Sequence, residues 1–176
     1  AAVNDGETLT TKQLQAAIDA CAESGGGEVV VPPGRYLTGT LTLKTGVTFN
    51  ISAGATILGS PNLEDYQQMG EIPKGDLTVW HLIQAFDADR VTIKGGGTID
   101  GQGQAYWYET EDRYGGKYFR ANANNMRPSP MLHFQRCRDL RIQDVNILGA
   151  AGWVVHPTQC ERVWITGISL RSQMIG

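Results

Sequence analysis

The residues of this sequence that could do chemistry gather in a few places. One is the string WVVHPTQC from Trp153 to Cys160, where an indole and the imidazole of His156 stand three positions apart; a second imidazole, His133, lies in MLHF. An imidazole moves protons near neutral pH or binds metal, and an indole offers a flat face for stacking. No carboxylate accompanies His133 and His156, so a metal site is not expected and no cofactor is called for. Another is the stretch from Gln102 to Pro130, which holds Tyr106, Trp107, Tyr108, Tyr114, Tyr118 and Phe119 beside Arg113, Lys117, Arg120 and Arg127. Aromatic rings that can stack and guanidinium groups that can grip an anion in bidentate fashion, together on a long loop, suit ligand binding; the alternative is a loop that folds on itself, with Trp107 as its packing residue. The acids are less promising. Asp87 and Asp89 beside Arg90, and Asp100 before Gly101, read as turn residues that bond nearby backbone, and Glu109, Glu111, Asp112 and Arg113 as a solvated charge cluster. They provide no convincing general acid and base.

Composition narrows the classes further. The 176 residues carry 15 basic and 18 acidic groups, a formal charge of -3, with no run of Lys or Arg, so nucleic acid and anionic membrane are not expected partners. No apolar run approaches the roughly 18 residues that span a bilayer, and the start AAVNDG has no signal-peptide pattern. Three cysteines, Cys21, Cys137 and Cys160, lack C-x-x-C spacing and an even count, which argues against a zinc ribbon or a disulfide scaffold.

The elements that must position these residues are repeats. LIQAFDADRVTI from Leu82, MLHFQRCRDLRI from Met131 and VVHPTQCERVWI from Val154 each hold a short apolar strand, a polar turn and a second strand about nine residues on. The second strands begin at Val91, Leu140 and Val163. Their spacing gives a period of about 22 or 23 residues, and Val47 to Val91 is close to twice that. Strand-rich pieces such as VTFNISAGATIL and VTIKGGGTID alternate apolar and polar residues, so each repeat is one coil of a parallel β-solenoid with stacked interior columns. Ala88, Cys137 and Cys160 share one column, where the thiols stack as small hydrophobes; parallel register disfavours a disulfide torsion. His156 shares another column with Gln84 and His133, alternating with inward Ile83, Leu132 and Val155, and so points outward.

Near the start, Thr10 and Gln13 form a capping box, and Leu14, Ala17, Ile18 and Cys21 mark an amphipathic helix over residues 11–23 that covers the open end. At the other end VWITGISL stops within a coil that has no polar cap, so residues 1–176 read as a single, partial β-helix domain with a loop insertion at 102–130. The missing remainder is expected from further sequence or from a complementing chain.

The string SGGGEVVVPPGRYLTGTLTLKTGVTFNISAGATILGS, with VTIKGGGTIDGQGQAYW, RPSPMLHF and GWVVHPTQCERVWITGISL, resembles the polygalacturonases and related pectin hydrolases of glycoside hydrolase family 28. GGGTIDGQG at 95–103 and W-x-x-H-P-x-x-C at 153–160 are its most specific pieces. The resemblance implies an all-β, right-handed parallel β-helix, a pectic polysaccharide or oligogalacturonide as substrate, inverting hydrolysis of α-1,4 bonds by aspartates, and a secreted or periplasmic location. The family's N-T-D-G-x-D motif, its D-D pair and its G-H-G and R-x-K motifs are not present; the resemblance places the first just after Gly176. This segment alone is therefore expected to be inactive. Aligning that coil on WVVHPTQC puts its aspartates over Trp153 and His156, which implies that both line the sugar cleft. Trp153, His156, His133, Arg127 and Trp107 are thus the candidate substrate-binding residues. A polysaccharide lyase of the same architecture, which would need a Ca²⁺ site of clustered carboxylates, and a noncatalytic carbohydrate-binding or adhesin-type solenoid are the alternatives.

Overall fold

The computed structural model describes residues 2–69, 79–121 and 126–171. Strand β1 (Asp5–Leu9) leads into helix α1 (Thr11–Glu23), then β2 (Gly27–Val31) and β3 (Gly34–Thr38). The chain next winds through coils that lay down three strands in a fixed order: β4 (Leu41–Thr42), β5 (Val47–Ile51), β6 (Ala55–Gly59); then β7 (Ile83–Phe86), β8 (Thr92–Lys94), β9 (Thr98–Asp100). After an excursion containing β10 (Trp107–Glu111) and β11 (Lys117–Ala121) come β12 (Leu132–Gln135), β13 (Arg138–Gln143), β14 (Asn146–Leu148), and last β15 (Val155–Thr158), β16 (Glu161–Thr166), β17 (Ser169–Arg171). Equivalent strands stack into three sheets, β4-β7-β12-β15, β2-β5-β8-β13-β16 and β1-β3-β6-β9-β14-β17. Pairing between coils is parallel throughout the described strands, so the fold is a parallel β-helix.

The alternation of apolar and polar residues dictates which side faces in. Phe49, Ile93 and Ile142 stack in one sheet, and Ile57, Ile99 and Ile147 in another; all are fully buried, each contributing roughly 1.5–3 kcal/mol relative to an exposed position. Leu132 pairs with both Ile83 and Val155, while Ile142 pairs with Ile93 and Ile165, so the strand-to-strand spacing inside a coil is constant. Val47 to Val91, however, is not two coils. Thr48 pairs directly with Thr92, which makes those strands neighbours and turns the segment between β6 and β7 into an insertion whose length imitates a second period.

Helix α1 stands where a further strand of the first sheet would lie, packed on β2, β4 and β5. Its Leu14 and Ile18 are buried, whereas Ala17 is exposed. The Gln15 side chain imitates a peptide group at the open edge of β4: its amide donates to the Thr42 carbonyl at 3.0 Å and accepts from the Thr42 N–H at 2.8 Å. The capping box does not form. Thr10 is fully buried and spends both its N–H and its hydroxyl on the Leu37 carbonyl, at 2.8 and 3.0 Å, because it extends the pairing of β1 with β3 into the helix.

The turns between the first and second sheets repeat a left-handed residue in the three later coils, Asp87, Arg136 and Gln159, and a second one at Arg90, Asp139 and Arg162. Asp87 and Asp89 do sit in these turns, but their carboxylates reach across to the next coil: Arg136 grips Asp87 at 2.6 and 2.7 Å, Arg138 grips Asp89 at 3.0 and 3.1 Å, and Arg162 grips Asp139 at 2.7 and 2.8 Å. Stacking brings columns of opposite charge into contact, a partner that backbone-directed turn chemistry does not foresee. Asp100 behaves as expected and accepts the Gln102 N–H at 3.0 Å. All three cysteines are free, with Cys137 fully buried and Cys160 beside it in the interior column.

The outermost described coil is thinly covered. Ile165 is 39% exposed, although its column mates Ile142 and Ile93 are at 0%, and Leu170 is 49% exposed where Ile147 is at 0%. Hydrogen exchange on the 176-residue chain should show β16 and β17 exchanging far faster than β8 and β13, with self-association rising with concentration. Slow exchange throughout residues 163–170 in a monodisperse monomer would contradict this.

Candidate functional site

The outer face of the first sheet is built by alternation across three long neighbours. Leu41, Ile83, Leu132 and Val155 form one inward column, and Ala85, Phe134 and Pro157 another. Between and beside them, Thr42, Gln84, His133 and His156 project outward, as do Phe86, Gln135 and Thr158. The face therefore presents imidazole, amide, hydroxyl and aromatic groups, and these two columns hold no carboxylate. It is not uniformly open. Gln84 is only 1% exposed and donates from Nε2 to the Thr42 hydroxyl at 3.0 Å, whereas His133 and His156 are half-buried and Trp153 is 50% exposed.

Rings continue along the face. His81 lies 4.5 Å from His133 between ring centres, Phe86 meets His133 edge-on at 5.6 Å, and Trp153 meets His156 edge-on at 5.2 Å. The Nδ1 atoms of His133 and His156 are 3.2 Å apart, one donating to the other. His81 is 4% exposed and its Nδ1 donates to the Pro130 carbonyl at 2.8 Å, which fixes its neutral tautomer. Burial lowers its pKa. Burial, then the neighbouring charges of His81 and His156, pushes His133 down to about 4. His133 is thus an uncharged hydrogen-bonding group near neutral pH.

The turn that carries Trp153 is held from behind. The Ser129 hydroxyl accepts the Trp153 N–H at 3.0 Å, and the Trp153 carbonyl accepts the Met131 N–H at 2.8 Å. Gly152 allows this approach, since a side chain there would strike Ser129 and come 3.1 Å from Arg127 Nε. Arg127 is 6% exposed. Trp107 packs against the core and donates its indole N–H to the Ala151 carbonyl at 3.0 Å.

Of the five candidate residues, Trp153, His156 and His133 come together on one face. Arg127 is buried behind the turn and Trp107 pins the same turn, so both support Trp153 instead of opening onto the face. The segment after Gln102 is more ordered than a loop: a short 3-10 turn at Gly103–Tyr106 is followed by the antiparallel hairpin β10–β11. Asp112 makes its bend by accepting the N–H groups of Tyr114 and Gly116 at 2.8 and 2.9 Å, and Lys117 pairs with Glu109 at 2.8 Å. Tyr108, Tyr114 and Phe119 remain exposed, with Arg113 over the Tyr114 ring. Residues 122–125 lie outside the described residues. Sequence reasoning missed His81, because it precedes β7 and falls outside the strand alternation that identified its partners. Among the described residues no group of three or more His, Cys, Asp or Glu is arranged to hold a metal ion, and no helix is long and apolar enough to cross a membrane.

A family model described as "Glycosyl hydrolases family 28" matches residues 21–174. A Vitis vinifera protein named "Probable polygalacturonase" is 29% identical over 96% of this chain and 35% of its own length. The Dickeya chrysanthemi "Exo-poly-alpha-D-galacturonosidase" is 36% identical over 65% of this chain and 20% of its own length. Among solved structures, the exopolygalacturonase of Thermotoga maritima superposes with a TM-score of 0.80 at 24% identity, over 98% of this chain and 45% of that one, a likeness of fold. The chain thus spans between a fifth and about a third of the length of these two sequence relatives.

Proposed function

The chain belongs to glycoside hydrolase family 28, and from that premise we propose that it is part of a protein that hydrolyses α-1,4 bonds of galacturonan. In this reading the outer face of the first sheet is the floor of the sugar cleft. The observation that carries it is the convergence of Trp153, His156 and His133 on one face, with hydroxyl and amide neighbours, in a chain whose named relatives are polygalacturonases. Trp153 offers a half-exposed ring for stacking, and the imidazoles and Gln135 offer hydrogen bonds to sugar hydroxyls or carboxylate. Arg127 and Trp107 set the turn on which Trp153 is mounted. Hairpin β10–β11, with exposed Tyr108, Tyr114 and Phe119, provides a second set of rings at the side of the solenoid.

Inverting hydrolysis requires a carboxylic acid to protonate the leaving oxygen and a carboxylate to activate water, roughly 6.5–9.5 Å apart. The two outward columns hold neither, so the described residues bind and orient, and the proton chemistry belongs to other parts of the protein. A secreted or periplasmic location goes with a polymeric cell-wall substrate. The lyase reading is disfavoured by the lack of a carboxylate cluster among the described residues, and the noncatalytic solenoid by the family assignment.

The test is binding. Trigalacturonate titrated into the chain should perturb the Trp153 and His156 resonances, and Trp153→Ala should weaken binding about tenfold, as expected for loss of one aromatic contact of roughly 1–1.5 kcal/mol. In the complete enzyme His156→Ala should raise KM at least as much as it lowers kcat. Unchanged affinity in both variants would remove this face from substrate recognition.

A further inference from the structure

We propose that His133 and His156 work as one imidazole pair that shares a single proton, and that this pair, after taking up one further proton, is the group on the outer face that holds a carboxylate of the bound sugar chain. The proposal rests on the reading of this face as a sugar cleft. Its starting point is how the rings meet. Their planes are 20° apart and their centres 5.2 Å apart, while the Nδ1 atoms are only 3.2 Å apart. Nitrogens so much closer than the ring centres mean contact edge to edge, nitrogen to nitrogen, instead of face upon face. Parallel register brings the two rings together, because His133 and His156 are direct partners on β12 and β15.

A hydrogen bond between two Nδ1 atoms needs a proton on one and a lone pair on the other. In the neutral pair the donor ring therefore has a bare Nε2, and the acceptor ring carries its proton on Nε2. One added proton goes to the bare Nε2. The bridge survives, becomes charge-assisted, and both rings then present Nε2–H donors around one positive charge. A second added proton would set two N–H groups against each other at the bridge and place like charges on adjacent strands, so the pair accepts one proton and resists the next. The low pKa of His133 agrees with that resistance.

His81 is the positioning residue of the pair. It packs on the His133 ring and is held by the Pro130 carbonyl, so it fixes the plane of His133 without joining the bridge. The other side chains described around the pair, Thr42, Gln84, Phe86, Gln135, Thr158 and Trp153, are uncharged, and the charges acting on His133 are those of His81 and His156. Arg127 lies behind the Trp153 turn, its Nε close to Gly152. No carboxylate in the outward columns competes for the protonated pair, which leaves an incoming anion as its partner.

The experiment has two measurements on the 176-residue chain. Imidazole ¹⁵N resonances followed from pH 8 to pH 5 should show the Nδ1 pair sharing one proton and the two rings gaining a single proton together. Binding of trigalacturonate and of its fully methyl-esterified, uncharged counterpart is then compared over the same range. Affinity for the acid should rise at least about tenfold toward pH 5, the scale of one hydrogen bond to a charged group, while that for the ester stays flat. His156→Gln should abolish the rise. Two rings that titrate independently overturn the proposal and say nothing against galacturonan binding. A shared proton with equal pH dependence for acid and ester overturns the carboxylate role while the cleft reading stands. Binding of neither sugar overturns both.

Discussion

Incubated with polygalacturonate, residues 1–176 are expected to release no reducing ends above buffer. The expectation follows from the chemistry of the outer face, where Gln84, His133, His156, Phe86, Gln135 and Thr158 stand in the outward columns and no carboxyl does. Elsewhere several of the described acids are committed to cations. Asp87, Asp89 and Asp139 are gripped by arginines, Glu28 by Lys94, Asp19 by Lys44 and Glu109 by Lys117. A general acid needs a raised pKa, yet the carboxyls whose surroundings move them, Asp5, Asp19, Glu28, Asp87 and Asp139, are all held below the usual range by hydrogen bonds from backbone or from cationic side chains. Proton transfer by a positioned group contributes about 10²–10⁴-fold, so lacking both acid and base removes measurable turnover. Reducing-sugar release that co-purifies with the chain and survives removal of contaminating enzymes would show that a catalytic pair exists here after all.

Phe134→Ala should be the most destabilising of the substitutions on the first sheet, at about 3–5 kcal/mol. Phe134 is fully buried in the inward column between Ala85 and Pro157, and a neighbour as small as Ala85 cannot swell into the cavity. A natural domain has only about 5–15 kcal/mol in hand, so the variant should melt some 10 °C lower or be unfolded at 37 °C. Phe86, one position after Ala85, the β7 partner of Phe134, faces the other way and lies edge-on to His133. Phe86→Ala should cost about 1 kcal/mol or less, and its effect should appear in sugar binding instead. Thermal melts of the two variants side by side decide the matter; equal losses would mean that inward and outward columns of this sheet are misassigned.

Much of this arrangement was legible in the residues. Alternation in LIQAF, MLHF and VVHP dictated which side chains face inward, and their common spacing fixed the register that brings His133 beside His156. Both follow from local geometry, since strand alternation and stacking of equivalent strands need no knowledge of distant contacts. The length of an insertion cannot be told from a repeat by counting alone, which is why the segment between β6 and β7 passed for a coil. Thr10 looked like a helix cap because its sequence neighbours permit one; the Leu37 carbonyl that captures it belongs to another strand.

The sequence by itself thus determined the solenoid, its columns, the helix at residues 11–23 and the family. Each depends on periodicity or on short motifs. Tertiary structure alone decided the parts that depend on what lies across from a residue: the arginine grips on Asp87, Asp89 and Asp139, the burial of Arg127 and Gln84, the role of Trp107 as a pin, and the place of His81 against His133. The physical reason is that periodicity fixes the direction in which a side chain leaves the backbone, whereas burial, pairing and proton sharing are settled by the partner that folding brings to it.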